Sequence, residues 1–457
     1  MIIATGEKMK KLPIGIDDYK EIIEDGYAYV DKTLLIQEII ERGTKLALIP
    51  RPRRFGKTIN MSMLRYFFEN KAHSHLFSPY KIWQTKYREL QGQHPVIFFT
   101  LKDVKQTTWQ LTFDNLKSLI ADEFERHRHL LDSPQLSPEE KESFRLILRK
   151  QGNQSDYEFS LKRLIIWLER YHGKKVMVLI DEYDSPVHKA YFHGFYPNIV
   201  DFMRNWLGGG LKSNASLEKA VITGIMRIAK ENIFSDLNHS SNFTTFSEDF
   251  GDKFGLLEEE VNALLTEYGM DDKLEEVRSW YNGYKMGDYS VYNPWSIIKY
   301  IQHKTFKPYW VGTSGNDLIK EQLAQKGTFF KEDFETLLLG ESITKLVDEG
   351  LVFASLEDST ESIWGLLLFS GYLTLTEMPN FTRTRYSCKL KIPNQEVLNL
   401  FQDMIQDYFS KRFSIPIPSL IEDLLIGNVK AFSEKFEKFI LNVFSAYDIP
   451  EPAFDAP

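Results

Sequence analysis

Residues 51–58, Arg-Pro-Arg-Arg-Phe-Gly-Lys-Thr, carry most of the pattern of a phosphate-binding loop. The usual form is G-x-x-x-x-G-K-[ST], in which backbone N–H groups wrap the phosphates, the lysine reaches the β and γ phosphates, and the hydroxyl binds Mg²⁺. Gly56, Lys57 and Thr58 match, whereas Arg51 stands where the first glycine is expected. A side chain at that position restricts the backbone freedom that glycine gives. The pattern predicts an ATP and Mg²⁺ site with a modified loop.

The neighbouring loop residues Arg53, Arg54 and Phe55 complete the predicted nucleotide-binding segment. Guanidinium groups make planar, multi-donor contacts with phosphate. The alternative is a solvated basic turn in front of a helix. The apolar run 46–49 before the loop and the helical spacing of apolar residues in 59–67 after it favour a strand, a loop and then a helix. The dipole of that helix would point its positive end at an anion.

A second candidate motif follows the apolar run Val176–Ile180, a pattern typical of a buried parallel strand. Asp181 is predicted to bind Mg²⁺ together with Thr58, and Glu182 to polarise the attacking water as a general base. Asp184 is a third acid, either in the outer shell of the metal or fixing a neighbouring arginine. The alternative is a strand that ends in solvated charges. It is less favoured because the phosphate-loop pattern occurs in the same chain.

A third run, residues 220–227 (Ala-Val-Ile-Thr-Gly-Ile-Met-Arg), is predicted to be a short buried strand that ends in polar residues. In P-loop ATPases of the additional-strand (ASCE) type, the strand beside the P-loop strand carries a polar sensor of the γ-phosphate, and Thr223 is predicted to have that role. Arg227 would stabilise charge on the transferring phosphoryl group. An ion pair between Arg227 and one of the acids Asp181, Glu182 or Asp184 is the alternative, and the two interpretations stay open.

These residues need a parallel sheet to bring them together. Apolar runs at 46–49, 94–101, 176–180 and 219–225 alternate with helical patterns, including 107–172, which predicts right-handed parallel crossovers. The fold class is therefore α/β, an ASCE-type P-loop NTPase, with the sensor strand between the P-loop strand and the acidic strand. We expect Thr33 to cap a helix from Leu34 to Arg42.

After about residue 247 the sequence pattern changes, and a mainly α-helical C-terminal region is predicted. The predicted domains are an ATPase core (1–250), a helical lid-like subdomain (251–330) and a C-terminal domain with a frayed tail (331–457). Helices are predicted at 257–268, 294–302, 395–409 (capped by Asn394), 417–426 and 428–444, with a strand at 386–392. The aromatic segments 280–284 and 292–296 are expected to form a satellite core rather than to stack nucleic-acid bases.

Bulk composition limits the classes of function. With 56 basic and 64 acidic residues, the net charge of −8 gives no support to nucleic-acid binding, although a local basic patch stays open. Cys388 is the only cysteine, so an intramolecular disulfide is excluded and a cytoplasmic protein is expected. Residues 1–11 lack an apolar signal core, and no membrane span is predicted. The ten histidines show no metal-ligand spacing.

Nine stretches, taken together, resemble the bacterial AAA-ATPase-like proteins, in which this ATPase module often precedes a PD-(D/E)XK nuclease domain. The resemblance covers nearly all of residues 12–445, and R-P-R-R-F-G-K-[ST] is the family's own form of the loop. It implies ATP binding and hydrolysis. The matching stretches are residues 29–33, 51–58, 180–184, 222–224, 235–238, 280–284, 292–294, 369–373 and 392–397.

The chain stops about where the nuclease of such relatives would begin, so no nuclease activity is expected of this polypeptide. The leading hypothesis is an Mg²⁺-dependent ATPase whose cycle moves the C-terminal region. The alternative is a nucleotide-gated module that binds a protein partner or DNA with little turnover. A remnant of a nuclease-linked system that has lost its effector is the third hypothesis.

Overall fold

A computed structural model describes residues 9–227, 240–310, 331–350, 361–413 and 417–443. The predicted frayed tail lies outside these residues, as does the family-like stretch 235–238.

A five-stranded sheet forms the centre of the ATPase core. The order β2-β3-β4-β1-β5 is parallel throughout, so β4 lies between the loop-bearing β1 and the acidic β3, as predicted. The register pairs Ile49 with Thr223 and Thr100 with Asp181, so the polar strand ends meet at one edge. The strands are β1 (Leu46–Pro50), β2 (Val96–Thr100), β3 (Val176–Asp181), β4 (Leu217–Gly224) and β5 (Ser240–Asn242).

Successive residues of these strands enter two separate hydrophobic clusters. Leu48 and Ile222 belong to one cluster, and Ile49 and Val221 belong to the other. Side chains alternate across a strand, so the two clusters fill opposite faces of the sheet. Both faces are buried because the intervening helices cover them, which explains why the strands are apolar without interruption.

Helices are present where they were predicted, at 34–41, 57–68 and within 107–172, whereas the helices at 19–24, 74–77, 185–192 and 196–211 had not been predicted. Thr33 precedes the first of the predicted helices, but its hydroxyl makes no cap and donates instead to Asp31 Oδ1 at 2.6 Å. The helices are α1 (Tyr19–Glu24), α2 (Leu34–Glu41), α3 (Lys57–Phe68), α4 (Ser74–Phe77), α5 (Trp109–Arg126), α6 (Pro138–Leu148), α7 (Gln154–Glu158), α8 (Ser160–His172), α9 (Ser185–Phe192) and α10 (Tyr196–Leu211).

The C-terminal region is mainly helical, and Asn394 caps its helix as predicted, since Asn394 Oδ1 accepts from Val397 N at 3.2 Å. No helix in the described parts of the chain is long and apolar enough to cross a membrane. The helices are α11 (Glu258–Glu267), α12 (Leu274–Tyr281), α13 (Pro294–His303), α14 (Lys331–Leu338), α15 (Ser362–Phe369), α16 (Gln395–Phe413), α17 (Ile417–Leu425) and α18 (Val429–Val443).

This region also contains antiparallel strands that the sequence analysis missed. Only β11 had been predicted; its partners are two to five residues long and, in the case of β10, fully exposed, so they carry little apolar signal. The strands are the hairpin β6 (Tyr284–Met286) and β7 (Tyr289–Val291), and a sheet of β8 (Ile343–Val347), β9 (Thr374–Leu375), β10 (Asn380–Thr382) and β11 (Arg385–Lys391).

One hydrophobic cluster joins the ATPase core to the C-terminal region. It contains Leu48 and Ile222 of the parallel sheet together with Leu366 and Phe401. The division at 250 and 330 remains a prediction, and apolar packing crosses both positions. In the aromatic segment 280–284, Tyr281 is buried in a satellite core as expected, whereas Tyr284 is buried in the cluster shared with the parallel sheet.

Candidate functional site

The loop between β1 and α3 turns sharply at Gly56, which has φ 81°. A Cβ there would meet nothing within 4 Å, so glycine is favoured by the backbone angle and not by crowding. Lys57 is buried, and its Nζ donates to the carbonyl oxygens of Arg51 at 2.9 Å and Pro52 at 2.8 Å. The ammonium group therefore lies inside the loop, where a phosphate could replace the carbonyl oxygens as its partner.

Arg51, at the position of the missing glycine, is a structural residue. Its guanidinium is fully buried and donates to the carbonyl oxygens of Pro50, Phe243 and Phe250 at 2.8, 2.5 and 3.3 Å. Burial lowers the pKa of Arg51 to about 9. Because Phe243 and Phe250 lie almost 200 residues along the chain, sequence reasoning had no local signal for this role beyond a charge directly after a buried strand.

Restoring the usual glycine should therefore weaken the fold. We expect Arg51→Gly to lower the free energy of unfolding by about 2 kcal/mol, because buried carbonyls lose their donor. Arg54→Gly is the matched control: Arg54 is exposed and has φ 66°, which glycine adopts without strain. Urea unfolding of both variants measures the difference. Equal stabilities would contradict the structural role of Arg51.

Asp181 lies between two hydroxyl groups at the carboxyl edge of the sheet. Thr58 Oγ1 donates to Asp181 Oδ2 at 2.7 Å, and Thr223 Oγ1 donates to Asp181 Oδ1 at 2.6 Å. Thr58 and Asp181, the predicted metal ligands, are thus adjacent, and Thr223 is next to them. The structure brings together residues from the loop, the acidic strand and the sensor strand.

The other two acids have different surroundings. Asp184 is buried, and its Oδ2 accepts from the backbone N–H groups of Ile225 at 2.8 Å and Met226 at 3.1 Å, which ties the end of β4 to this turn. Glu182 is partly exposed, with φ 52°. Strained backbone of this kind clusters at functional sites. Of the three acids, Glu182 is the one that reaches solvent.

Burial controls the electrostatics of the site. It lowers the pKa of Lys57, against the raising effect of Glu182, Asp181 and Asp184. It raises the pKa of Asp181, against hydrogen bonds from Thr223 and Thr58, and also the pKa of Asp184. Charges removed from water interact more strongly. A ligand that brings phosphate to Lys57 and a cation to Asp181 would stabilise the charged form of each.

The donor set fits Mg²⁺, which favours one or two carboxylates with retained waters and substrate phosphates over a closed protein cage. Among the described residues, no group of three or more His, Cys, Asp or Glu side chains is arranged to hold a metal. Asp181 and Thr58 offer adjacent hard oxygens. Asp184 Oδ1 is buried and makes no hydrogen bond within the described structure, so a bound water of an outer shell could satisfy it.

The middle of the loop faces the C-terminal region. Phe55 is fully buried against Tyr284, with ring centroids 5.0 Å apart, so any part it plays in nucleotide binding falls to its backbone. The Arg54 guanidinium lies over the Trp295 ring, 4.5 Å from its centroid. Arg53 lies close enough to Lys57 to lower its pKa further. The contact of Arg53 and Arg54 with phosphate remains a prediction.

Arg227 forms its ion pair with a residue that sequence reasoning did not identify. Glu349 Oε2 lies 3.8 Å from Arg227 Nη1, and Glu349 Oε1 accepts from Thr244 Oγ1 at 2.7 Å. The anticipated partners Asp181, Glu182 and Asp184 are not the ones it meets. Its catalytic role remains a prediction.

The parallel sheet of order β2-β3-β4-β1-β5, with a glycine-lysine-threonine loop after β1 and acids after β3, defines a P-loop NTPase of the α/β class. The model of the AAA-ATPase-like family, described as a predicted AAA-ATPase, matches residues 13–234, so this part of the chain is similar to that family. The resemblance seen in the sequence is confirmed over these residues, and the match supports an ATP-binding P-loop NTPase.

Two individual proteins are similar over most of the chain. A protein of Azotobacter chroococcum mcd 1, described as an uncharacterized protein in the vnfD 5′ region, is 27% identical over 434 residues, which cover 92% of this chain and 75% of that protein. The Walker-type ATPase PABY2304 of Pyrococcus abyssi is similar in structure with 14% identity and a TM-score of 0.39, over 86% of this chain and 98% of that chain.

Proposed function

We propose that the protein binds ATP with Mg²⁺ at the loop 51–58, hydrolyses it, and couples this cycle to movement of the C-terminal region. The observation that carries the proposal is the meeting of Lys57, Thr58, Asp181 and Glu182 at one edge of the sheet. Mg²⁺, when bound, would neutralise phosphate charge.

Each residue has a task that follows from its position. Lys57 would turn from the loop carbonyls to the phosphates, and the α3 N-terminus would add its dipole. Thr58 and Asp181 would hold the metal, and Thr223 would hold Asp181 in position through its 2.6 Å hydrogen bond. Glu182 would accept a proton from the attacking water, since it reaches solvent while Asp184 is bound to two backbone amides. Arg227 would stabilise charge after leaving Glu349.

Steady-state phosphate release from purified protein tests turnover, with Mg²⁺ present or chelated. We expect release that depends on Mg²⁺, and its absence despite tight ATP binding would favour the nucleotide-gated module. DNA added to a parallel sample would reveal a nucleic-acid partner through a higher rate.

Movement of the C-terminal region has a separate test. Hydrogen exchange across residues 250–445, with and without a non-hydrolysable ATP analogue, should change in the segments that contact the loop. The hairpin 284–291 is the first place to look, because Tyr284 packs on Phe55. Identical exchange in both states would exclude the coupling, although it would leave ATP binding intact.

A further inference from the structure

Several sequence motifs of the C-terminal region that have no assigned role contact the loop. Gly371, with φ 88°, packs so closely that an added Cβ would lie 3.0 Å from Pro52 Cβ. Tyr284 covers Phe55. Asn293 and Trp310 contact Arg53, which lies between Pro52 and Phe55 in the loop.

The carbonyl oxygen of Arg53 accepts two hydrogen bonds from side chains of the C-terminal region. Trp310 Nε1 donates at 3.1 Å and Asn293 Nδ2 at 3.4 Å. A trans peptide is planar, so its C=O and the following N–H point in opposite directions. Holding this carbonyl towards the C-terminal region therefore aims the Arg54 N–H the other way. Backbone N–H groups of such loops are the phosphate ligands.

Arg54 needs this support because its backbone is strained. Its φ of 66° lies in the left-handed region, which disfavours side chains other than glycine and persists where surrounding contacts enforce it. The contacts come from both sides of the residue, through the Arg53 carbonyl and through the stacking of Arg54 on Trp295.

Glu396 holds both donors in place from α16. Its side chain is fully buried, Oε1 accepts from Trp310 N at 2.6 Å, and Oε2 accepts from Ser296 Oγ at 2.8 Å. Asn293 caps the same helix as Ser296, because Asn293 Oδ1 accepts from the Trp295 and Ser296 backbone N–H groups. One carboxylate thus connects the residue that carries the indole donor with the helix that carries the amide donor.

We propose that Asn293, Trp310 and Glu396 form a clamp of positioning residues that holds the phosphate-binding loop in its nucleotide-binding conformation. The clamp rests on the proposed function and deepens it: the C-terminal region regulates the ATP affinity of the loop through the Arg53 carbonyl. A displacement of α16 would release Trp310 and let the peptide after Arg53 rotate.

The test is Trp310→Phe, which removes the indole donor and keeps an aromatic ring against Tyr372, whose ring centroid lies 5.0 Å away. Trp280→Phe is the matched control, since Trp280 stacks on Phe306 in the satellite core. Titration calorimetry with ATP and Mg²⁺ should show roughly five- to tenfold weaker binding in Trp310→Phe, the effect of one lost hydrogen bond, and little change in the control. Equal affinities would overturn the clamp.

Hydrogen exchange measured without nucleotide distinguishes the clamp from a general loss of stability. The peptide covering residues 52–58 should exchange faster in Trp310→Phe than in Trp280→Phe at equal melting temperature.

If Trp310→Phe does not fold, Asn293→Ser replaces it, because serine keeps a cap oxygen but is too short to reach Arg53. Unchanged loop exchange rejects the clamp. Absence of ATP binding by the unmutated protein rejects the proposed function instead, and the exchange experiment still decides the clamp.

Discussion

Replacing Glu182 with glutamine should leave ATP bound and stop its turnover. Glutamine has nearly the same shape but accepts no proton, so we expect the rate of phosphate release to fall by roughly 10²-fold or more, the usual contribution of a general base. The left-handed backbone at this residue, φ 52°, is a property of the turn and should persist in the variant. Binding measured by calorimetry should stay close to that of the unmutated protein.

Asp184→Asn is the comparison that gives this result its meaning. Asp184 accepts two backbone N–H bonds, so its replacement should act mainly on stability. If Glu182→Gln turns over normally while Asp184→Asn does not, the general base has been assigned to the wrong acid. Normal turnover in both would mean that no protein carboxylate takes the proton.

Replacing Lys57 with alanine should remove most of the affinity for ATP. The ammonium group is buried in the loop, and a charged hydrogen bond to phosphate lost in a buried site corresponds to about a hundredfold in affinity. Lys45→Ala serves as the control, because this exposed lysine lies at the opposite end of β1. Calorimetric titration with ATP and Mg²⁺ measures both.

Stability has to be measured beside affinity in this experiment. Lys57 also satisfies the carbonyl oxygens of Arg51 and Pro52, so some loss of folding free energy is expected. An unchanged dissociation constant in a folded Lys57→Ala protein would place the nucleotide somewhere else.

The parallel sheet could be predicted because its strands are continuous apolar runs with polar ends. Val176–Asp181 and the neighbouring runs carry that signal within a few residues, and the loop pattern places β1. The strands β8 to β10 could not be found in this way, because each is only two to five residues long and depends on pairing with β11.

The candidate site was predictable to a similar extent. Lys57, Thr58, Asp181 and Thr223 follow from motifs, and the structure brings them together. The parts played by Arg51 and Glu396 depend on backbone carbonyls and amides supplied by distant segments, and no pattern of side-chain types encodes such partners. The ion pair between Arg227 and Glu349, which are more than 100 residues apart, could not be predicted for the same reason.

The hydrophobic cluster shared by the parallel sheet and the C-terminal region has a consequence for synthesis on the ribosome. Leu48 and Ile222 emerge long before Leu366 and Phe401, yet all four belong to one cluster. At roughly 5–20 residues per second, the stretch from 250 to 401 takes about 8–30 s to translate. During that interval the nascent ATPase core should expose apolar surface that later residues cover, and such surface promotes aggregation and is bound by chaperones.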